Sequence, residues 1–252
     1  MGDNSLEQLP YVGLRTFCRA LAQGSEDGRL VEVGGVTAAV VPAAPDRSIA
    51  NSVMYDSVAG LESALDEIAH AYNEAGVRAW TVWVPQHDRQ GPQLLEQAGH
   101  KLDGEPTAMA MELKNFDRTP SSEIEIDEHP EPGELGRLND RAYGFEGDQF
   151  ARALALRPPG MHHYTALLDG VPVACLGAVD DARDCGIYFV ATAPEAQGRG
   201  LATQLMLRAL MDARGRDCLT TSLQATKMGR PIYDRLGYRD FGQLQIWERR
   251  RA

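Results

Sequence analysis

The chain has 252 residues, 43% of them hydrophobic and 24% charged, which is enough for one large domain or two domains of ordinary size. Its formal net charge of −11 argues against nucleic acid as a partner, because nucleic-acid binding needs basic surface that neutralises phosphates. No apolar run is long enough for a membrane span, the N-terminal segment lacks the features of a secretion signal, and the four cysteines have no CxxC spacing. We therefore expect a cytoplasmic protein that binds no nucleic acid, no membrane and no metal.

Strands and helices alternate along the first half of the chain. "LVEVGGVTAAVV" predicts two short strands around a Gly-Gly turn, and "SIANSVMYD" predicts a third strand. "LESALDEIAHAYNEAG" has apolar residues at helical spacing and ends at Gly76, so it predicts a long helix. A strand at "VRAWTVWVP", a short helix at "PQLLEQAG" and a strand at "PTAMAMEL" complete this half.

The polar segment "KNFDRTPSSE" reads as a linker, and a similar order of elements follows it. The order begins with a strand at Ile124 and Ile126, two helices at "PGELGRLNDRAYGF" and "DQFARALAL", and a hairpin at "HYTALLDGVPVACLGAVDD". It continues with the strand "CGIYFVAT", a glycine-containing loop and the helix "LATQLMLRALMDARG". A strand at "CLTTSL", a helix at "RPIYDRLG" and a strand at "FGQLQIWER" end the chain.

The two halves therefore share a plan of hairpin, strand, long helix, strand, short helix ending in glycine, and strand. "LLEQAGHKL" and "IYDRLGYRD" align without gaps at the short helix. We interpret this as a diverged tandem duplication, with an α+β fold and domains at residues 1–118 and 119–252. The alternative is that mixed α+β chains repeat such patterns by chance.

The loop "AQGRGLAT" places two glycines at a helix entrance, where glycine costs stability that some function should offset. A strand, a glycine loop and a helix N-terminus together present free backbone N–H groups and the positive end of the helix dipole, which suit a phosphate. A P-loop is excluded because no Gly-Lys-Ser/Thr follows, and the dinucleotide fingerprint fails because Thr203 stands where it needs Gly or Ala. The pattern Q/R-x-x-G-x-G/A is met by Gln197, Gly200 and Ala202.

The stretches "FVATAPEAQGRGLATQLM" and "LQATKMGRPIYDRLGYRDFG" resemble the coenzyme A-binding core of the GNAT superfamily of N-acetyltransferases. The resemblance implies two GNAT-like domains, each a mixed, mostly antiparallel sheet flanked by helices. It also implies acetyl-CoA as co-substrate and direct transfer of its acetyl group, without a metal, to a primary amine of a small molecule. The residues that the resemblance assigns to coenzyme binding are Val190, Ala191 and Thr192 for the pantetheine arm, and Gln197, Gly198, Arg199, Gly200, Leu201, Ala202 and Thr203 for the pyrophosphate.

Tyr233 stands where the family's general acid lies, and the alternative is an aromatic side chain that packs the last helix against the sheet. The backbone N–H of Val190 or a neighbour is the family-like donor to the oxyanion. The sequence does not identify the base that deprotonates the acceptor amine.

The first half lacks these features. Its segment "YDSVAGLESAL" has one glycine and no Gln or Arg in the required place, and Leu95 matches Tyr233. We therefore expect a degenerate GNAT-like domain that packs against the active one and shapes the acceptor cleft. Two alternative functions stay open, a coenzyme A-binding sensor or scaffold without turnover and a protein-lysine acetyltransferase; a homodimer also stays an open alternative.

Overall fold

The computed structural model describes residues 5–251; the first four residues, part of the segment used for the secretion-signal prediction, lie outside them. These residues form two mixed sheets flanked by helices, so the predicted α+β fold with two mostly antiparallel sheets is confirmed. Within residues 5–251, no helix is long and apolar enough to cross a membrane.

The first sheet has six strands in the order β1-β2-β3-β4-β13-β5, and only β3 and β4 run parallel. The strands are β1 (Arg29–Val33), β2 (Val36–Val40), β3 (Ser52–Tyr55), β4 (Ala79–Val84), β5 (Lys101–Gly104) and β13 (Gln245–Arg250).

The second sheet has seven strands in the order β12-β6-β11-β10-β9-β8-β7, and only β10 and β11 run parallel. The strands are β6 (Thr107–Glu112), β7 (Glu125–Asp127), β8 (Met161–Leu168), β9 (Val171–Asp181), β10 (Asp184–Thr192), β11 (Thr220–Ala225) and β12 (Arg239–Gln243).

Each sheet contains a strand from the other half of the chain. β6 lies between β11 and β12 in the second sheet, and β13 lies between β4 and β5 in the first. The sheets therefore do not follow the predicted division at residue 118: the chain crosses between them after Gly104 and again after Gln243. The exchange leaves both sheets with the same order of hairpin, parallel pair, exchanged strand and edge strand, and the second sheet has β7 beyond its hairpin.

The last predicted strand, "FGQLQIWER", is wrong as one strand, because it is two strands in different sheets. Gly242 has φ +96, a conformation that side chains other than glycine rarely adopt, and its N–H donates to Asp240 Oδ1 at 2.7 Å. Leu244 then donates its N–H to the carbonyl of Pro106 at 3.0 Å, and β13 begins one residue later in the first sheet.

In the described part of the chain, seven α-helices surround and separate the sheets. They are α1 (Leu9–Gln23), α2 (Val58–Glu74), α3 (Gly91–Gln97), α4 (Glu134–Tyr143), α5 (Gln149–Ala153), α6 (Leu201–Gly215) and α7 (Arg230–Leu236). α2 packs on the first sheet, and α6 packs on the second. The sequence analysis missed α1, which lies between the sheets and contacts strands of both.

α1 forms because its apolar side chains share one helical face. Leu14, Phe17, Cys18 and Leu21 follow the i, i+3, i+4, i+7 spacing, and each is at most 2% exposed. Phe17 stacks on the ring of Tyr188 in β10 with the ring centroids 4.1 Å apart. A single core around α1 therefore joins the two sheets.

Candidate functional site

β10 separates from its parallel neighbour β11 halfway along its length. The two strands pair from Asp184 to Ile187, while β10 continues to Thr192. On the other side of β10 the register with β9 shifts between Tyr188 and Ala191, and Phe189 has φ +55. A bulge with such a residue bends the strand, and the bend opens a cleft between β10 and β11.

The loop after β10 reaches α6 with an open N-terminus. Gly198 and Gly200 have φ +78 and +75, which explains why both positions are glycine. Gly200 is the N-cap of α6 and offers no side chain to the free N–H groups of the first turn. A Cβ built on either glycine meets no atom within 4 Å, so the space above the loop is free for a ligand.

A cavity of about 910 Å³ joins this loop to the cleft between β10 and β11. It is lined by nine of the ten residues predicted to bind the coenzyme, which are Val190, Ala191, Thr192, Gln197, Gly198, Gly200, Leu201, Ala202 and Thr203. Arg199 is exposed beside the loop and is not among the lining residues. The structure thus brings nine predicted residues together, and their roles stay predictions.

Tyr233 reaches the same cavity from α7. Its side chain is 7% exposed and packs at an angle against Tyr238, with the ring centroids 5.8 Å apart. Burial raises the pKa of the Tyr233 hydroxyl, so the group keeps its proton at neutral pH. The residue therefore packs the helix and lines the cavity at the same time.

The opposite wall of the cavity comes from the first half and from β13. Its lining residues there are Asp46, Arg47, Ser48, Ile49, Trp83, Asp103, Ile246, Glu248 and Arg250. Sequence reasoning missed all of these as site residues, because no local pattern indicates which distant segments meet at the cavity. Residues of the first half lie on this wall. The prediction that they shape the acceptor cleft stays a proposal.

Two charged side chains on this wall, those of Arg47 and Glu248, contact polar or charged side chains. Arg47 donates from Nη2 to Asn139 Oδ1 at 3.2 Å and lies 3.2 Å from Asp140 Oδ1. Glu248 pairs with Arg250 at 2.7 Å. Burial, and then the nearby charge of Glu248, raise the pKa of Asp103.

No group of three or more His, Cys, Asp or Glu side chains in the described part of the chain could hold a metal ion. The absence of a metal stays a prediction. The site as described offers backbone N–H groups at a helix end, a cleft beside a strand, and a buried phenol.

The sequence matches a family model. Residues 123–238 match the model of the acetyltransferase (GNAT) family. No curated protein was found to match the sequence.

The fold is similar to that of several solved structures. A GCN5-related N-acetyltransferase from Kribbella flavida is 16% identical and superposes with a TM-score of 0.66, covering 94% of this chain and 96% of its own. A GCN5-related N-acetyltransferase from Sphaerobacter thermophilus is also 16% identical, with a TM-score of 0.57 and 98% and 94% of the chains covered. A tandem GNAT protein from the clavulanic acid biosynthesis pathway is 12% identical, with a TM-score of 0.55 and 95% and 94% covered. The fold of the whole chain is therefore that of a tandem pair of such domains.

Proposed function

Because residues 123–238 form a domain of the GNAT family of acetyltransferases, we propose that this protein transfers an acetyl group from acetyl-CoA directly to a primary amine of a small molecule. The observation that carries the proposal is the single cavity that contains the glycine loop, the open end of β10 and Tyr233. Residues of the first half line part of the cavity, so an acceptor bound there would lie between the two halves, which favours a small molecule over a protein side chain. The cytoplasm is the proposed location, and the four cysteines are free and buried.

The coenzyme's phosphates would bind to the N–H groups at the start of α6. Gly198 and Gly200 let the backbone approach the oxygens, and the helix dipole favours the negative charge. The pantetheine arm would lie along the part of β10 that does not pair with β11, at Val190 to Thr192. Bound there, acetyl-CoA supplies a thioester carbonyl for attack and a thiol as leaving group.

Tyr233 would hold a proton beside the departing sulfur. Burial raises its pKa, so the hydroxyl stays protonated and would donate a hydrogen bond to the sulfur as negative charge develops on it. Backbone N–H groups of the bulged segment around Val190 would stabilise the developing negative charge on the carbonyl oxygen.

The test is calorimetric titration of acetyl-CoA into the wild type and two matched variants. Ala202 is the second residue of α6, and Ala59 is the second residue of α2 in the first half. Ala202→Glu puts a carboxylate where the pyrophosphate would bind, yet an acidic residue in the first turn favours the helix. We expect Ala202→Glu to weaken binding at least about tenfold, a typical electrostatic effect at a helix end, and Ala59→Glu to leave it unchanged.

Turnover is then measured by the release of free thiol in the presence of amines. No binding by the wild type would contradict the proposal. Binding without turnover on any amine would favour a coenzyme A sensor instead.

A further inference from the structure

We propose that the acceptor amine also carries a carboxylate, and that the guanidinium of Arg47 binds it. The inference rests on the proposed function, because it names the class of acceptor for the same cavity. It assigns a specificity-determining residue to the first half of the chain, outside the acetyltransferase domain.

The guanidinium of Arg47 is held on several sides. Asn139 and Asp140 lie on its Nη2 edge, each at 3.2 Å. The ring of Phe145 lies on one face, with 3.4 Å from Cζ to the ring centroid, and the ring of Phe150 is 4.9 Å away. A planar group fixed in this way is preorganised for a planar anion, since little further side-chain entropy is lost on binding.

One end of this guanidinium lacks a partner. Within residues 5–251, Nη1 is buried and has no hydrogen-bond acceptor, although the side chain as a whole lines the cavity. A buried charged donor without an acceptor is costly, so a ligand that supplies an acceptor gains that energy on binding.

Phe145 is the most exposed of the residues that pack on Arg47. This ring is 50% exposed and lies in the short loop between Gly144 and Gly147, which have φ +69 and +90. A ligand oxygen would reach Nη1 after a displacement of this ring, which would end its stacking on Arg47 but keep the contacts of the guanidinium with Asn139, Asp140 and Phe150.

The charges along the wall match a zwitterion. Glu248 is paired with Arg250, and Asp46 is paired with Arg78. None of the ion pairs found within residues 5–251 includes Asp103, which is exposed and lies near the charges of Glu248 and Arg250. The wall therefore presents one cation with an unused donor and one unpaired carboxylate, the complement of an acceptor with a carboxylate and an ammonium group.

A carboxylate fits this wall better than a phosphate. Asp140 already offsets part of the charge of Arg47, and the carboxylates of Asp103 and Glu248 lie in the same cavity. A doubly charged anion would meet more repulsion there than a singly charged one. Trp83, Phe145 and Phe150 add aromatic surface for an apolar body, so the acceptor class is an amino acid.

The first experiment compares amino acids with the amines that lack only the carboxylate. The wild type is given alanine and ethylamine, leucine and isoamylamine, phenylalanine and phenethylamine, and lysine and cadaverine, and thiol release gives kcat/KM for each. We expect kcat/KM for at least one amino acid to exceed that for the matching amine about tenfold or more. This is the size of effect that a hydrogen bond to a charged group produces. Transfer to the amines with no amino acid preferred would overturn the inference alone, and no transfer to any compound would overturn the proposed function.

The second experiment changes Arg47. Arg47→Met should lower kcat/KM for the preferred amino acid about tenfold or more, mainly through a higher KM. For the matching amine, kcat/KM should stay within about twofold of the wild-type value. The ratio of the two rates is independent of the folded fraction, because both are measured on one preparation. The double variant Arg47→Met/Asp140→Asn avoids a buried unpaired carboxylate and should show the same lost preference.

Arg15→Met is the matched control. Arg15 is also partly buried and ion-paired, with Asp56, but it does not line the cavity. The wild-type preference should persist in this variant. An unchanged preference in both Arg47 variants would overturn the inference.

Discussion

The loops that lead into α2 and α6 occupy equivalent places in the two sheets, and only the second is open. In the first, the hydroxyl of Ser57 accepts the N–H of Gly60 at 3.2 Å, so the helix caps its own end. A Cβ on Gly60 would collide with the carbonyl of Gly34, so no ligand has room there. In the second, Gly200 offers no side chain and faces free space.

The gap between the two parallel strands is likewise filled in the first sheet and open in the second. In the first sheet the hydroxyl of Tyr11, from α1, donates to the carbonyl of Tyr55 at 2.8 Å and accepts its N–H at 3.3 Å. A protein side chain thus fills the place between β3 and β4 that stays open between β10 and β11. Leu95, fully buried, stands where the second half has Tyr233.

The comparison teaches that two sheets with a similar strand order can differ in whether a helix end and a strand gap are filled by the protein itself. The first half satisfies its helix end and strand edges from within, and what it offers the cavity is a wall. The second half leaves the same groups unsatisfied, which is the physical requirement for binding a ligand.

The largest expected effect comes from removing the exchanged strand β13. A chain shortened to residues 1–244 leaves β5 without a partner, because β5 pairs only with β13. We expect the free energy of unfolding to fall by more than about 5 kcal/mol, which is comparable with the whole stability of a domain. The shortened chain should then show no cooperative unfolding by circular dichroism. A chain of residues 1–250 keeps β13 and serves as control. A cooperative transition near the full-length Tm in the shorter chain would contradict the strand order.

The next effect is on kcat, and it tests whether Tyr233 does more than pack against its neighbours. Tyr233→Phe should lower kcat about 100-fold or more through loss of the proton donor, with acetyl-CoA affinity unchanged. Tyr238→Phe is the control: its hydroxyl contacts Thr221 Oγ1 at 2.8 Å, so its loss should cost about 1 kcal/mol of stability and leave kcat intact. Equal kcat values for wild type and Tyr233→Phe would leave Tyr233 a packing residue only, like Leu95.

A smaller effect appears in the stability of both halves in acid. Burial lowers the pKa of His100 in the first half to about 4, and burial together with Arg157 does the same for His163 in the second. An unfolded histidine titrates near pH 6.5, so below that value the unfolded chain binds more protons and the free energy of unfolding falls. Each histidine should lower the free energy of unfolding by up to roughly 3 kcal/mol as the pH drops from about 6.5 to about 4.

Urea unfolding at pH 7.5 and at pH 5 measures this loss. The variants His100→Leu and His163→Leu should each lose less stability than the wild type over that interval. The same loss in wild type and in both variants would contradict the assigned pKa values.

Local patterns predicted most elements and the glycine loop, because each depends on neighbouring residues. The strand "CGIYFVAT", the two glycines and the apolar helix stand within one stretch of chain, and the structure keeps them together. α1 was missed although its signal was present, since Leu14, Phe17, Cys18 and Leu21 already have helical spacing.

The exchange of strands could not be predicted in the same way. "PTAMAMEL" and "FGQLQIWER" indicate strands, but a local pattern does not name the partner of a strand. The break between β12 and β13 depends on the turn at Gly242 and on the contact of Leu244 with Pro106, which lies far away in sequence. Arg47 and Asp103 carry no motif, and a local pattern does not show which distant residues they meet, such as Asn139 and Asp140 beside Arg47.

The smallest effect tests whether the first loop is closed by its cap or by its packing. Ser57→Ala removes the side-chain acceptor of Gly60 and should cost about 1 kcal/mol of stability, whereas Ser57→Gly should cost only a few tenths. Neither variant should gain a second acetyl-CoA site in calorimetry, because Gly60 stays packed against Gly34 and the hydroxyl of Tyr11 still fills the strand gap. A second binding event in Ser57→Ala would show that one hydroxyl alone keeps the first half from binding the coenzyme.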